Sequence, residues 1–145
     1  MAESGSVIRE TSSVGDAAVD GLFGGLAAGV LMAIFLVLAG LTVGARPGIT
    51  MRYFDATGGS SPFVGSVLHL AVSGVYGLTF GILYRLVAKR VPGWLAGLIY
   101  GTILFLVAWG LLLPATDSTL LAIPFWQFGV GHLVYGAMLG VVVGR

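Results

Sequence analysis

The chain has 145 residues, of which 57% are hydrophobic and 9% charged, with a formal net charge of +1, a mean hydropathy of +1.02 and no cysteine. An average soluble domain is about 25% charged, so this composition excludes an ordinary water-soluble fold, and the near-neutral balance leaves no electrostatic footprint for nucleic acid. Without cysteine there is no disulfide, no thiolate metal site and no cysteine nucleophile.

Residues 1–20 are polar and lack a basic start followed by a short apolar core, so they read as a tail and not as a cleaved secretion signal. Within them Ser13 and Asp16 have the spacing of a capping box, with Asp in the place usually held by Glu or Gln. Asp16 and Asp20 also put negative charge near the positive end of a helix, which is therefore expected to begin near Val14. Residues 21–145 are expected to form one all-α transmembrane domain.

Four apolar runs fill that domain, at residues 21–43, 62–86, 92–113 and 124–144. About 20 residues at about 1.5 Å rise cross the roughly 30 Å hydrocarbon layer, so each run is long enough to span a bilayer as a helix. Pro62, Pro92 and Pro124 stand where helices begin, the position at which the missing N–H of proline costs nothing. Arg9, Arg85, Lys89, Arg90 and Arg145 fall on one side of the spans and Arg46 and Arg52 on the other. Basic residues favour the cytoplasm, so both termini and the connection between the second and third spans are expected inside, in a cytoplasmic membrane.

The halves of the chain resemble each other. A glycine-rich span from Gly25 is followed by Pro62-Phe63 and then His69-Leu70; a similar span from Gly93 is followed by Pro124-Phe125 and then His132-Leu133. The second and fourth spans run in the same direction, so the pattern predicts a parallel duplication of a helix pair and a four-helix bundle. Small residues recur every fourth position in all four spans: Gly21, Gly25, Gly29 and Ala33; Ser73, Gly77 and Gly81; Gly93, Gly97 and Gly101; Gly136, Gly140 and Gly144. Each set lines one helix face and lets backbones approach closely in lipid, where the hydrophobic effect cannot drive association. All four stripes lie toward the cytoplasmic ends, whereas Phe35, Phe63, Phe105, Trp109, Trp126 and Phe128 occupy the other half. The bundle is expected to be tight inside and wider outside.

His69 and His132 sit four residues before Ser73 and Gly136, on the same faces as the stripes, and so should point into the bundle. An ionisable residue inside a membrane is a functional-site candidate. The plainest reading makes each a neutral, hydrogen-bonded core histidine, with Ser73, Tyr76, Tyr100, Gln127 and Tyr135 as candidate partners. A second makes them the two axial ligands of haem b or of a chlorophyll-type pigment. A third puts a quinone or lipid head group in the outer crevice, within reach of Trp109 and Trp126, with its polar end toward the Asp117 loop. No acidic residue lies within a span and no broken helix is evident, so no ion path is expected. Ser66 or Ser73 would have to cross several helical turns to form a triad with a histidine and a loop aspartate, and no catalytic site is expected. Arg46, Arg52 and Asp55 read as a head-group-facing loop, and the tryptophans as interface anchors.

The closing stretch HLVYGAMLG, with His132, Tyr135, Gly136 and Gly140, is echoed by His69, Tyr76 and Gly77. In these features the chain resembles a group of functionally uncharacterised small four-span membrane proteins of bacteria and archaea. The resemblance implies the fold and carries no activity. With no substrate chemistry in sight and lipid-facing surfaces rich in Leu, Val and Phe, the expected role is a non-enzymatic subunit docked to other membrane subunits of an electron-transfer complex. The alternatives are a haem- or pigment-binding subunit and a small transporter.

Overall fold

The computed structural model describes residues 13–88 and 90–145. The expectations that rest on Arg9, Lys89 and the first twelve residues of the tail lie outside the described residues. The elements are α1 (Val14–Thr42), a single turn α2 (Ile49–Arg52), α3 (Pro62–Val87), α4 (Gly93–Val107), α5 (Leu113–Ala115) and α6 (Phe125–Val143). Among the described residues four helical stretches are long and apolar enough to cross a membrane: Val14–Thr42, Pro62–Val87, Gly93–Ala115 and Phe125–Val143. The chain is an all-helical, four-span membrane bundle.

Local chemistry sets the helix ends. The Asp16 amide donates to Ser13 Oγ at 3.1 Å and the Ser13 amide to the Asp16 carboxylate at 2.7 Å, a complete capping box. It starts α1 at Val14, ahead of the apolar run that begins at Gly21. Ser61 caps α3 by accepting from the Val64 amide at 3.3 Å, with Pro62 as the first helical residue. Pro92 and Pro124 stand one position earlier than expected, as the residues that precede α4 and α6.

The third span is not a uniform helix. Residues Ala108–Leu112 form a π turn in which the Leu113 amide donates to the Ala108 carbonyl. Pro114 supplies the reason: it has no N–H for the Gly110 carbonyl and its ring would collide with that oxygen, and the wider turn relieves both problems. A run read from hydropathy as one unbroken helix thus contains a distortion.

Around the bundle the order is α3, α1, α6, α4, with α1 against both α3 and α6, and α4 against α6. α3 and α4 are consecutive spans yet barely touch, so the bundle has one open seam. At the end carrying the termini, two helix pairs meet backbone to backbone. A methyl group on Gly25 would overlap the Ser73 carbonyl, one on Gly77 the Gly21 carbonyl and Gly25 Cα, and one on Gly81 the Ala17 carbonyl. In the other pair, a methyl on Gly97 would meet the Gly136 carbonyl, one on Gly101 the His132 carbonyl, and one on Gly136 or Gly140 the carbonyl of Gly97 or Gly93. Gly29 faces Ser73, whose side chain would lie 2.6 Å from an added methyl. Only residues without a Cβ admit helices this close. The α1–α6 contact is of another kind, large into small, with Gly24 facing Leu139 and Val143, and Gly131 facing Met32 and Leu36.

Toward the α2 end, bulk replaces glycine between α4 and α6. Phe105 and Trp109 meet Phe125 with ring centroids 5.1 and 5.3 Å away, and Phe128 packs on both. These rings hold the helix axes apart where the glycines let them close. The α2 turn packs onto α3, with the Met51 carbonyl against Gly65.

Candidate functional site

The splay and the open seam leave a cavity of about 270 Å³ between α3, α4 and α6 at the α2 end. Met32 of α1 contributes to its wall, and Phe54, Ala56 and Leu120 from the connecting segments lie toward the α2 end. Val72 on α3 and Leu112 in the π turn line it while remaining 50% and 44% exposed. They mark a mouth that opens sideways through the seam, toward lipid.

His69 and His132 both line this cavity, 6% and 8% exposed. His69 Nε2 is 3.0 Å from the Gly29 carbonyl, across the α1–α3 contact that the missing side chain of Gly29 makes possible. His132 Nδ1 is 2.8 Å from the Phe128 carbonyl, one turn earlier on its own helix. Each ring also rests on an aromatic edge or face, Phe54 at 4.7 Å from His69 and Phe128 at 4.5 Å from His132. Among the described residues, no side-chain nitrogen or oxygen sealed from solvent lacks a hydrogen-bond partner. The second nitrogen of each histidine has no such partner, so each must reach open space, and the open space beside both rings is this cavity.

The histidine partners are thus backbone carbonyls and not the side chains expected from the sequence. Those side chains brace the helices instead. Tyr135 donates its hydroxyl to the Ser73 carbonyl at 2.6 Å, tying α6 to α3, and Ser73 donates to the His69 carbonyl at 2.8 Å. Tyr100 donates to the Tyr76 carbonyl at 2.9 Å, a polar tie across the seam at the closed end of the cavity. Gln127 donates to the Ala39 carbonyl at 2.9 Å and joins α6 to α1. A helix carbonyl has a second lone pair free after its ladder bond, which is why each can accept once more.

Other expectations need correction. Trp109 is absent from the lining because it packs behind it on Phe105, Phe125 and Phe128. Trp126 is 49% exposed and does not reach the cavity. Asp117, in a left-handed backbone conformation with φ 45°, does not border it; apolar Leu112, Leu113 and Leu120 do. Sequence reasoning missed Phe54 as a cavity residue, since an aromatic in a loop reads as an interface anchor until the fold of the loop is known.

That loop is ordered by a carboxylate. Asp55 is buried and accepts from the Thr57 hydroxyl, from the Thr57 amide at 2.9 Å and from the Ser61 amide at 2.7 Å. These bonds, the Thr57 hydroxyl first, hold its pKa below the ordinary value. Arg52 donates to the Ser60 carbonyl at 2.7 Å, and Thr119 to the Tyr53 carbonyl at 2.8 Å, which ties the two connecting loops over the cavity end. Asp55 is therefore a buried structural member of a folded loop and not a solvated one, while the exposed Arg52 braces the same loop through Ser60.

Among the described residues no group of three or more His, Asp or Glu side chains could hold a metal ion. No curated protein matches this chain, and neither does any solved structure. A family model does match, over residues 3–120, which takes in the first three spans and His69 but stops short of α6, with its His132 and the HLVYGAMLG stretch. The chain belongs to the family described as conserved membrane protein YqhR.

Proposed function

We propose that the protein is a non-enzymatic membrane protein that binds a small, membrane-dissolved molecule in the two-histidine cavity and admits it sideways through the α3–α4 seam. The observation that carries this reading is the pair of histidines, each more than nine-tenths buried, each with one nitrogen spent on a backbone carbonyl and the other unpartnered beside the same apolar cavity. A ligand site is expected to be concave and mostly apolar with a few convergent polar groups. Among the described residues the lining carries no carboxylate, and its Ser73 and Tyr135 hydroxyls are spent on backbone carbonyls, which supports binding over catalysis. The test is a titration of the full chain in nanodiscs with small apolar aromatic probes, beside a Leu104→Trp variant that fills the cavity. Saturable binding lost in the variant supports the reading; binding unchanged by the variant, or none at all, overturns it.

The same two nitrogens support a second reading, a bis-histidine haem or a histidine-ligated pigment. The cavity is smaller than the range of about 300–1,000 Å³ usual for drug-sized ligands, so a tetrapyrrole would require the seam to open. An absorption spectrum of protein from cells supplied with haem decides between them.

A docking role within a larger electron-transfer assembly draws its support from α4, which packs firmly on α6 alone and leaves Leu95, Ile99, Ile103 and Leu106 exposed. Native mass measurement after gentle extraction tests it, and a lone 14.9 kDa species counts against it. Cytoplasmic termini and a duplicated helix pair complete the proposal. The first rests on the basic-residue asymmetry and the second on the two glycine-lined pairs α1–α3 and α4–α6.

A further inference from the structure

We infer that the cavity selects a ligand that donates hydrogen bonds, a lipophilic phenol or hydroquinone, over one of the same shape that can only accept. The inference rests on the cavity being a binding site and adds the polarity of what it binds. A neutral imidazole carries one N–H, and the nitrogen beside a carbonyl oxygen must be the one that bears it. His69 Nε2 therefore donates to the Gly29 carbonyl and His132 Nδ1 to the Phe128 carbonyl. His69 Nδ1 and His132 Nε2 are left as bare lone pairs. No acidic side chain lines the cavity to hold either ring as an imidazolium.

The remaining polar side chains repeat the pattern. The Ser73 hydroxyl donates its hydrogen bond to the His69 carbonyl, and the Tyr135 hydroxyl donates its own to the Ser73 carbonyl. Among the described residues five polar side chains line the cavity, and of these Tyr76 alone keeps an unspent donor. The backbone amides of the α3 and α6 segments that line the cavity add none, because those segments are continuous helix whose amides are committed to the ladder. The lining side chains thus offer several acceptors and one donor. A buried acceptor left unpaired costs more than a made hydrogen bond returns, so matching by a donor is where selectivity comes from. Phe54, Phe128, Tyr76 and Tyr135 give the walls flat faces and edges suited to an aromatic ring.

The experiment compares three probes on one trimethylated ring with the full chain in detergent micelles: trimethylhydroquinone, the corresponding benzoquinone as its acceptor-only match in shape, and its dimethyl ether, larger by two methyl groups, with protein-free micelles to subtract partitioning. Hydroquinone is expected to bind about tenfold more tightly than either of the others, as one to two well-made hydrogen bonds supply. His132→Phe and His69→Phe should each reduce that ratio while the dimethyl ether still binds, which shows that the cavity persists; Tyr76→Phe should leave the ratio unchanged. Equal binding of all three probes, or tighter binding of the quinone, overturns the donor rule and leaves the binding site standing. Failure of all three to bind overturns both. Should a histidine variant fail to fold, the three affinities of the unaltered chain still decide.

Discussion

The two ends of the bundle solve the same packing problem in opposite ways. Toward the termini, α1 meets α3 and α4 meets α6 with glycine against backbone carbonyl, so there is no side-chain volume left to rearrange and no room for a ligand. Toward α2, Phe105, Trp109 and Phe128 hold the third span away from α6, the π turn at Ala108–Leu112 distorts that span, and a cavity opens beside two histidines. Close packing is rigid because every atom already has neighbours, whereas a splay filled by aromatic rings leaves irregular space. One end of the molecule is thus built for holding the helices together and the other for accommodating something between them.

The sharpest way to break this contrast is to add volume at each end. Leucine at Gly77 or Gly97 would drive side-chain atoms into a facing backbone carbonyl, and the loss should reach about 3 kcal/mol or more, read as a fall in melting temperature in detergent. Gly110→Ala, at a position with nothing within 4 Å of the added methyl, should cost nothing or give a small gain of up to about 1 kcal/mol. Comparable losses at both ends would mean that the glycines are not what closes the terminal half.

A smaller effect is expected where single hydrogen bonds hold the helices. Gln127→Leu removes the bond to the Ala39 carbonyl and should cost about 1 kcal/mol in reversible unfolding, since the accepting oxygen keeps its own helix bond. Tyr100→Phe removes the tie to Tyr76 across the seam; its cost in stability should be about 0.5–1 kcal/mol, but hydrogen exchange of α4 amides should rise while that of α1 does not. If α1 and α4 respond alike, the seam is not a locally weak element.

The smallest effect concerns the loop over the cavity. The folded pKa of Asp55 lies below its ordinary value of 3.8, so the stability it lends is fully present above that value and is lost as pH falls through the depressed one. Amide exchange in residues 53–61 should therefore accelerate below about pH 4 in the native chain. Asp55→Asn should exchange faster at neutral pH and show no such acid step. An identical acid step in both would assign it to another group.

Much of the fold was legible because the bilayer imposes simple rules. Four runs of about 20 apolar residues can only be spanning helices, since every backbone polar group must be satisfied within its own segment. Ser13, Asp16 and Pro62 marked helix starts by local chemistry alone. The π turn was not legible: Leu, Ala, Trp and Gly around Pro114 read as apolar helix, and hydropathy does not register a change in winding. The histidine partners were hidden too, because Gly29 and Phe128 contribute carbonyl oxygens, which every residue has and no sequence pattern advertises.

What the sequence by itself determined is where the chain crosses the membrane, which faces carry small residues, and that His69 and His132 turn inward. These depend on composition and on the period of a single helix. Only the tertiary structure decided that α1 sits between α3 and α6, that α3 and α4 stay apart, and that the space between them receives both histidines. In lipid, all four helices are nearly equally apolar all round, so no hydrophobic face selects a neighbour; the choice falls to contact between glycines and carbonyls and to where the bulky rings fall.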